Sequence, residues 1–192
     1  MKYSRPIPLL PEAMRLHGLG LSLIPLRSAS KNAAIRWKHN QRERADERAI
    51  RDWFRDTDNE QLGIGIVLGP VSGNVMVRDF DRLDAYQHWA RLNCRLAKSL
   101  PTVETARGRH VYFRCNELPI AAGVGFCRHL ADGELRGERH YVVAPPSLHP
   151  RTKQPYRWSI APNDSIPVAK LEQFGIRTPA GVTQSMSCLS VS

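Results

Sequence analysis

Asp79 and Asp81 stand two residues apart at the end of the apolar run Val75-Met76-Val77. Side chains alternate along a strand, so a strand here points both carboxylates to one face. Two close carboxylates repel and call for a cation. Mg²⁺ or Mn²⁺ suits them, because hard divalent ions take oxygen ligands and keep bonds to water and substrate phosphate. Gly108-Arg109-His110, preceded by Arg107, opens the apolar run Val111-Tyr112-Phe113. Cations and backbone amides at such a strand entrance can hold a triphosphate. Glu134 and Arg136 share a face by the same alternation. Ser147 and His149, in Pro145-Pro146-Ser147-Leu148-His149, can donate to phosphate oxygens. Each feature alone also has a plainer reading: a solvated acid pair, a surface arginine cluster with a structural histidine, a proline pair that ends a strand.

The elements that must position these groups follow from periodicity and breakers. Pro11 to Gly18 reads as a short helix and Leu21 to Leu26 as a buried strand. Arg27 to Arg44 reads as a polar loop. Asp46 is a helix N-cap, followed by Ala49, Ile50, Trp53 and Phe54 at helical spacing. Leu62 to Leu68 and Val75 to Asp81 read as strands joined by a turn at Pro70 to Asn74, hence as an antiparallel hairpin. Asp84 to Ser99 reads as one helix ended by Pro101. Strands follow at Thr102–Ala106, Arg109–Cys115, Glu134–Arg136, Tyr141–Ala144 and Tyr156–Trp158. Mixed elements with short connections predict an α+β fold rather than a doubly wound α/β one.

The chain has 192 residues, with 28 Lys and Arg against 18 Asp and Glu, a formal charge of +10. Only six of the cations are lysine. Guanidinium grips phosphate with two prongs, so arginine at this density points to a polyanionic partner; a GC-rich genome is the plainer explanation. Arg36, Lys38, Arg42, Arg44, Arg48, Arg51 and Arg55 form one candidate DNA-binding patch, interspersed with Glu43, Asp46, Glu47 and Asp52. No apolar run approaches the roughly 20 residues needed to span a bilayer. No secretory signal is recognisable, so the expectation is a cytoplasmic protein without a membrane partner. The four cysteines, Cys94, Cys115, Cys127 and Cys188, form no C-x-x-C pair. Cys127 and His129 form a C-x-H, half a metal site with no second pair at suitable spacing. Reduced thiols are the plainer reading.

The order of these segments carries a resemblance. Gly-Leu-Ser-Leu-Ile-Pro-Leu, Lys31, Trp37, Trp53-Phe54 and Leu-Gly-Ile-Gly-Ile-Val-Leu-Gly come first. Ser-Gly-Asn-Val-Met-Val-Arg-Asp-Phe-Asp, Leu-Pro-Thr-Val-Glu-Thr-Ala-Arg-Gly-Arg-His-Val-Tyr-Phe-Arg and Tyr-Val-Val-Ala-Pro-Pro-Ser-Leu-His-Pro follow. From about Pro11 to Trp158 the chain resembles the bifunctional primase–polymerase N-terminal domain of the archaeo-eukaryotic primase superfamily. That resemblance implies a mostly antiparallel mixed sheet with flanking helices and an active-site cleft between two subdomains. It places metal ligands at Asp79, Asp81 and Glu134, and sets His110, two after Gly108, against an incoming triphosphate. Ser147 and His149 fall near the nucleotide, and Lys31 and Arg136 are weaker carry-overs. The chain departs from the pattern where Glu134 follows Gly133 rather than a hydrophobic residue. Arg107-Gly108-Arg109 shortens a glycine-rich stretch, and Arg139-His140 replaces a Gly-Gly. Glu138 is a rival third acid.

The implied activity is metal-dependent primase or DNA polymerase chemistry on a single-stranded template and primer with dNTP or NTP, in phage or plasmid replication. A replicative helicase is a possible partner in such systems. Residues 1–178 form the expected catalytic domain and 179–192 a tail or linker remnant. A metal-dependent nuclease and a non-catalytic primase-fold replication protein are the competing readings.

Overall fold

The computed structural model describes residues 8–55, 62–117 and 125–176. The tail expected over residues 179–192 lies outside them. Helix α1 (Leu9–Gly18) buries Ala13 and Leu16. It also buries Glu12, whose carboxylate is held by Arg15 at 2.7 and 2.8 Å and by the Trp158 indole at 2.7 Å. A buried charge is tolerable only when paired in this way. After η-type turns around Lys38–Gln41, Asp46 caps α2 (Glu47–Phe54) by accepting from the Ala49 amide at 2.8 Å.

Two antiparallel sheets carry the rest. The smaller has the order β1 (Ser22–Leu26), β2 (Gly63–Val67), β8 (Tyr141–Ala144). The larger has the order β6 (Cys127–Leu130), β7 (Gly133–Arg136), β3 (Val75–Phe80), β5 (Arg109–Arg114), β4 (Thr102–Glu104), β9 (Arg157–Ile160). One core joins the smaller sheet, α1 and α2 to Val75, Val77, Val103 and Tyr112 of the larger. A second core lies on the other face of the larger sheet. There Met76, Phe80, Val111, Phe113 and Leu135 meet α3 (Leu83–Leu92) and α4 (Cys94–Ser99), and the single turn Leu171–Phe174 closes over them. The α+β expectation with two sheet subdomains is met.

Three local expectations are corrected. β2 and β3 are not a hairpin: β2 is bonded on both edges by β1 and β8, so β3 starts the other sheet. The chain leaves through Gly69, Gly73 and Asn74, all at positive φ, 91°, 68° and 62°. The helix expected over Asp84–Ser99 breaks at Asn93, whose side-chain amide donates to the Trp89 carbonyl at 3.1 Å. That competition with the helical ladder is what asparagine does mid-helix. Strand β6 has no counterpart among the expected elements, because its residues Cys127, Arg128 and His129 are exposed and carry no apolar alternation.

Candidate active site

β3 is the central positioning element, because antiparallel neighbours put directly opposite residues on one face. Asp79 lies opposite His110 of β5 and opposite Glu134 of β7. Three strands thus bring these side chains together in one row. Asp81 follows the strand's end, exposed, with its amide donating to the Asp132 carbonyl at 3.1 Å. Two glycines let the neighbours close on this strand end. A Cβ at Gly108 would overlap the Phe80 carbonyl, and one at Gly133, where φ is +137°, would overlap the Asp79 carbonyl. The glycine that displaces the usual hydrophobic residue before Glu134 is therefore required by this approach.

His110 is buried, with Nε2 3.5 Å from an Asp79 carboxylate oxygen and Nδ1 without a hydrogen-bond partner among the described residues. Burial lowers its pKa and Arg136 and Lys31 add to this, outweighing the opposite pull of Asp79 and Asp81. Burial thus favours the neutral imidazole beside Asp79. Glu134 divides its two oxygens: Oε2 takes Arg136 at 2.6 and 2.7 Å, and Oε1 faces His129 Nδ1 at 2.9 Å. Glu138, the rival acid, lies at the other end of β3, with its Cβ and Cα packed on Gly69, which bridges to Val75.

Above the row is a cleft of about 340 Å³ between the sheets. Asp79, His110 and Arg136 line it from the larger sheet, and Tyr141, Val142 and Val143 from the smaller. Lys31, Trp37, Arg139 and Tyr156 complete its rim. Trp37 meets Tyr141 edge to face at 4.7 Å, and the Tyr141 hydroxyl donates to the Lys31 carbonyl at 2.8 Å. Tyr156 lies between His110 and His149, with ring centroids 6.1 and 5.8 Å away. Burial, with the nearby Asp79 charge, pushes its phenol up to about 12. The His149 pKa is lowered by desolvation and then by the charges of Lys31, Arg151 and Arg107.

Other expected site residues lie elsewhere. Arg109 points to the opposite face of β5, paired with Glu104 at 3.1 Å and 5.9 Å from the Tyr86 ring. Ser147 is buried: its hydroxyl accepts from the Ile64 amide at 2.7 Å and lies 2.6 Å from the Ala144 carbonyl, so it ties a loop to β2. Arg36, Lys38, Arg42, Arg44, Arg48, Arg51 and Arg55 are exposed, and none lines the cleft. Arg48, Arg51 and Arg55 pair with Asp52 or Glu47 of their own helix at 3.4–4.0 Å. Motif reading missed Tyr156, Tyr141 and Arg139 as cleft residues; the only sequence signal was an aromatic or basic residue beside an expected strand.

Among the described residues no helix is long and apolar enough to cross a membrane. No curated protein matches the chain. A family model described as the N-terminal domain of bifunctional DNA primase/polymerases does match, over residues 13–173. Its span takes in both sheets and every residue of the cleft, and the chain belongs to that family.

Proposed function

We propose that this chain is a divalent-metal-dependent nucleotidyltransferase, acting as DNA primase and/or DNA polymerase on a single-stranded template in phage or plasmid replication. The observation that carries the reading is the in-register row His110–Asp79–Glu134, of which His110 and Asp79 line a basic, aromatic-rimmed cleft. Family membership supports primase or polymerase chemistry in general.

The residues present fit Mg²⁺ or Mn²⁺. Asp79, Asp81 and Glu134 supply only oxygen donors, and Asp79 has a neutral imidazole rather than a cation against it. When bound, the metal pair lowers the pKa of the attacking 3′-hydroxyl and offsets charge on the leaving pyrophosphate. Glu134 must share its carboxylate between Arg136 and this role. Lys31 and Arg136, which line the cleft, together with Arg107 bind the triphosphate, which accumulates charge during transfer. His110 donates to a phosphate oxygen and takes up a proton as that anion arrives, since an adjacent negative charge favours the imidazolium. The apolar floor at Val142 and Val143 and the rim rings exclude water from the reacting phosphate.

The test is incorporation of dNTP or NTP on primed and unprimed single strands with Mg²⁺ or Mn²⁺. Template-dependent extension is expected. Strand cleavage without nucleotide consumption would instead assign the carboxylates to a nuclease.

A further inference from the structure

The C-x-H of β6 finds its missing partner across the hairpin. His129 lies directly opposite Glu134, and Cys127 is two residues back on the same face, opposite Arg136. Register alone therefore gathers a thiol, an imidazole and a carboxylate. Their ligand atoms all lie within 4.8 Å of one another, and His129 Nδ1 is already 2.9 Å from Glu134 Oε1. We propose that Cys127, His129 and Glu134 form a second metal site, for a borderline-soft ion of the zinc class, which shares Glu134 with the proposed hard-ion site at Asp79 and Asp81.

Zinc takes thiolate, imidazole and carboxylate at about 2.0–2.3 Å, which sets neighbouring ligand atoms about 3.3–3.8 Å apart. Cys127 and His129 are both exposed, so side-chain rotation is available to close the present spread. Mg²⁺ has no use for a thiolate, so the donor set separates the two ions. Three protein ligands leave the fourth position open to water or an added ligand. Glu134 joins the sites: its Oε1 faces β6 while Oε2 stays with Arg136, so the soft ion can bind without displacing the guanidinium. A dication on Oε1 neutralises the carboxylate that the proposed nucleotidyl-transfer centre needs. Occupancy by zinc therefore antagonises Mg²⁺-dependent incorporation; this consequence, unlike the binding itself, rests on the proposed function.

The experiment titrates the full chain with Co²⁺, a spectroscopic stand-in for zinc, and reads the thiolate-to-cobalt charge-transfer absorption. The wild type should develop that band, and Zn²⁺ should displace it. Cys127→Ser should abolish it, and His129→Gln should weaken binding at least about tenfold, since even outer-sphere changes at metal sites cost 10–100-fold. Circular dichroism shows whether each variant is folded. Asp79→Asn should keep the band, which separates this site from the proposed catalytic one. Zn²⁺ inhibition of incorporation should be relieved in Cys127→Ser, with the zinc-free rate unchanged. No band in the wild type, or a band that survives Cys127→Ser and so belongs to another cysteine, would overturn the proposal.

Discussion

The two faces of β3 carry opposite assignments. On one, Asp79 stands between His110 and Glu134 and, with His110, lines an open cleft. On the other, Arg78 is buried with its guanidinium 4.1 Å from the Phe80 ring centroid. That guanidinium donates to the Asp79 carbonyl at 2.6 Å and the Glu134 carbonyl at 3.4 Å, and it pairs with Asp132 in the β6–β7 turn. The face proposed to be reactive is thus held in place from behind. A buried cation grips the backbone of the residues whose side chains project forward, and its positive charge lies beneath Asp79 and Asp81. The carboxylates proposed to do chemistry are left partly accessible, while the guanidinium that holds the strands is sealed against Phe80.

The largest stability loss should come from Gly133→Ala. The new Cβ meets the Asp79 carbonyl at a φ that L-residues avoid, and the cost should be about 3 kcal/mol or more in urea unfolding. Next come the two members of the rear clamp. Asp132→Ala leaves a buried guanidinium without its carboxylate and should cost about 3 kcal/mol. Arg78→Leu leaves a carboxylate that water reaches and should cost less, about 1–2 kcal/mol. The reverse order would place the balance of burial on the wrong partner. Both clamp variants should also lower kcat more than they raise KM, because they shift Asp79 and Glu134 rather than the cleft rim.

His110 gives a smaller, pH-dependent effect. Its folded pKa is below the ordinary 6.5, chiefly through burial. As pH falls through 6.5 the unfolded chain takes up a proton that the folded chain refuses, so stability is present above that pH and is lost below it. Thermal unfolding in a chelator should show this fall, by at most about 1.4 kcal/mol per pH unit for one proton. His110→Gln should flatten it. The smallest effects belong to α2: Arg48→Ala and Arg55→Ala remove exposed pairs within one helix and should each change stability by less than about 0.5 kcal/mol.

The same contrast explains how far the sequence could be read. What was legible was local: the strand that carries Asp79 by its apolar run, and Asp46 by its capping position, whereas Asp81, expected on the same strand face, lies exposed beyond the strand's end at Phe80. What escaped depended on pairing between distant segments. The β2–β3 hairpin failed because strand partners are chosen by burial on both edges, which nearness in sequence does not report. Strand β6 was invisible without an apolar alternation, and with it went the partner of the C-x-H motif. Arg109 was misdirected by its neighbourhood: it is adjacent to His110 in sequence, yet alternation sends it to the opposite face, as it does Arg78 beside Asp79.

The most direct measurement is template-dependent nucleotide incorporation by Asp79→Asn, which keeps the shape of the side chain and removes its charge. Single-strand binding and circular dichroism are measured on the same preparation. Incorporation should fall at least about a thousandfold, roughly 4 kcal/mol of transition-state stabilisation, with strand binding and fold retained. Incorporation at the wild-type rate would contradict the assignment of this carboxylate to the catalytic metal.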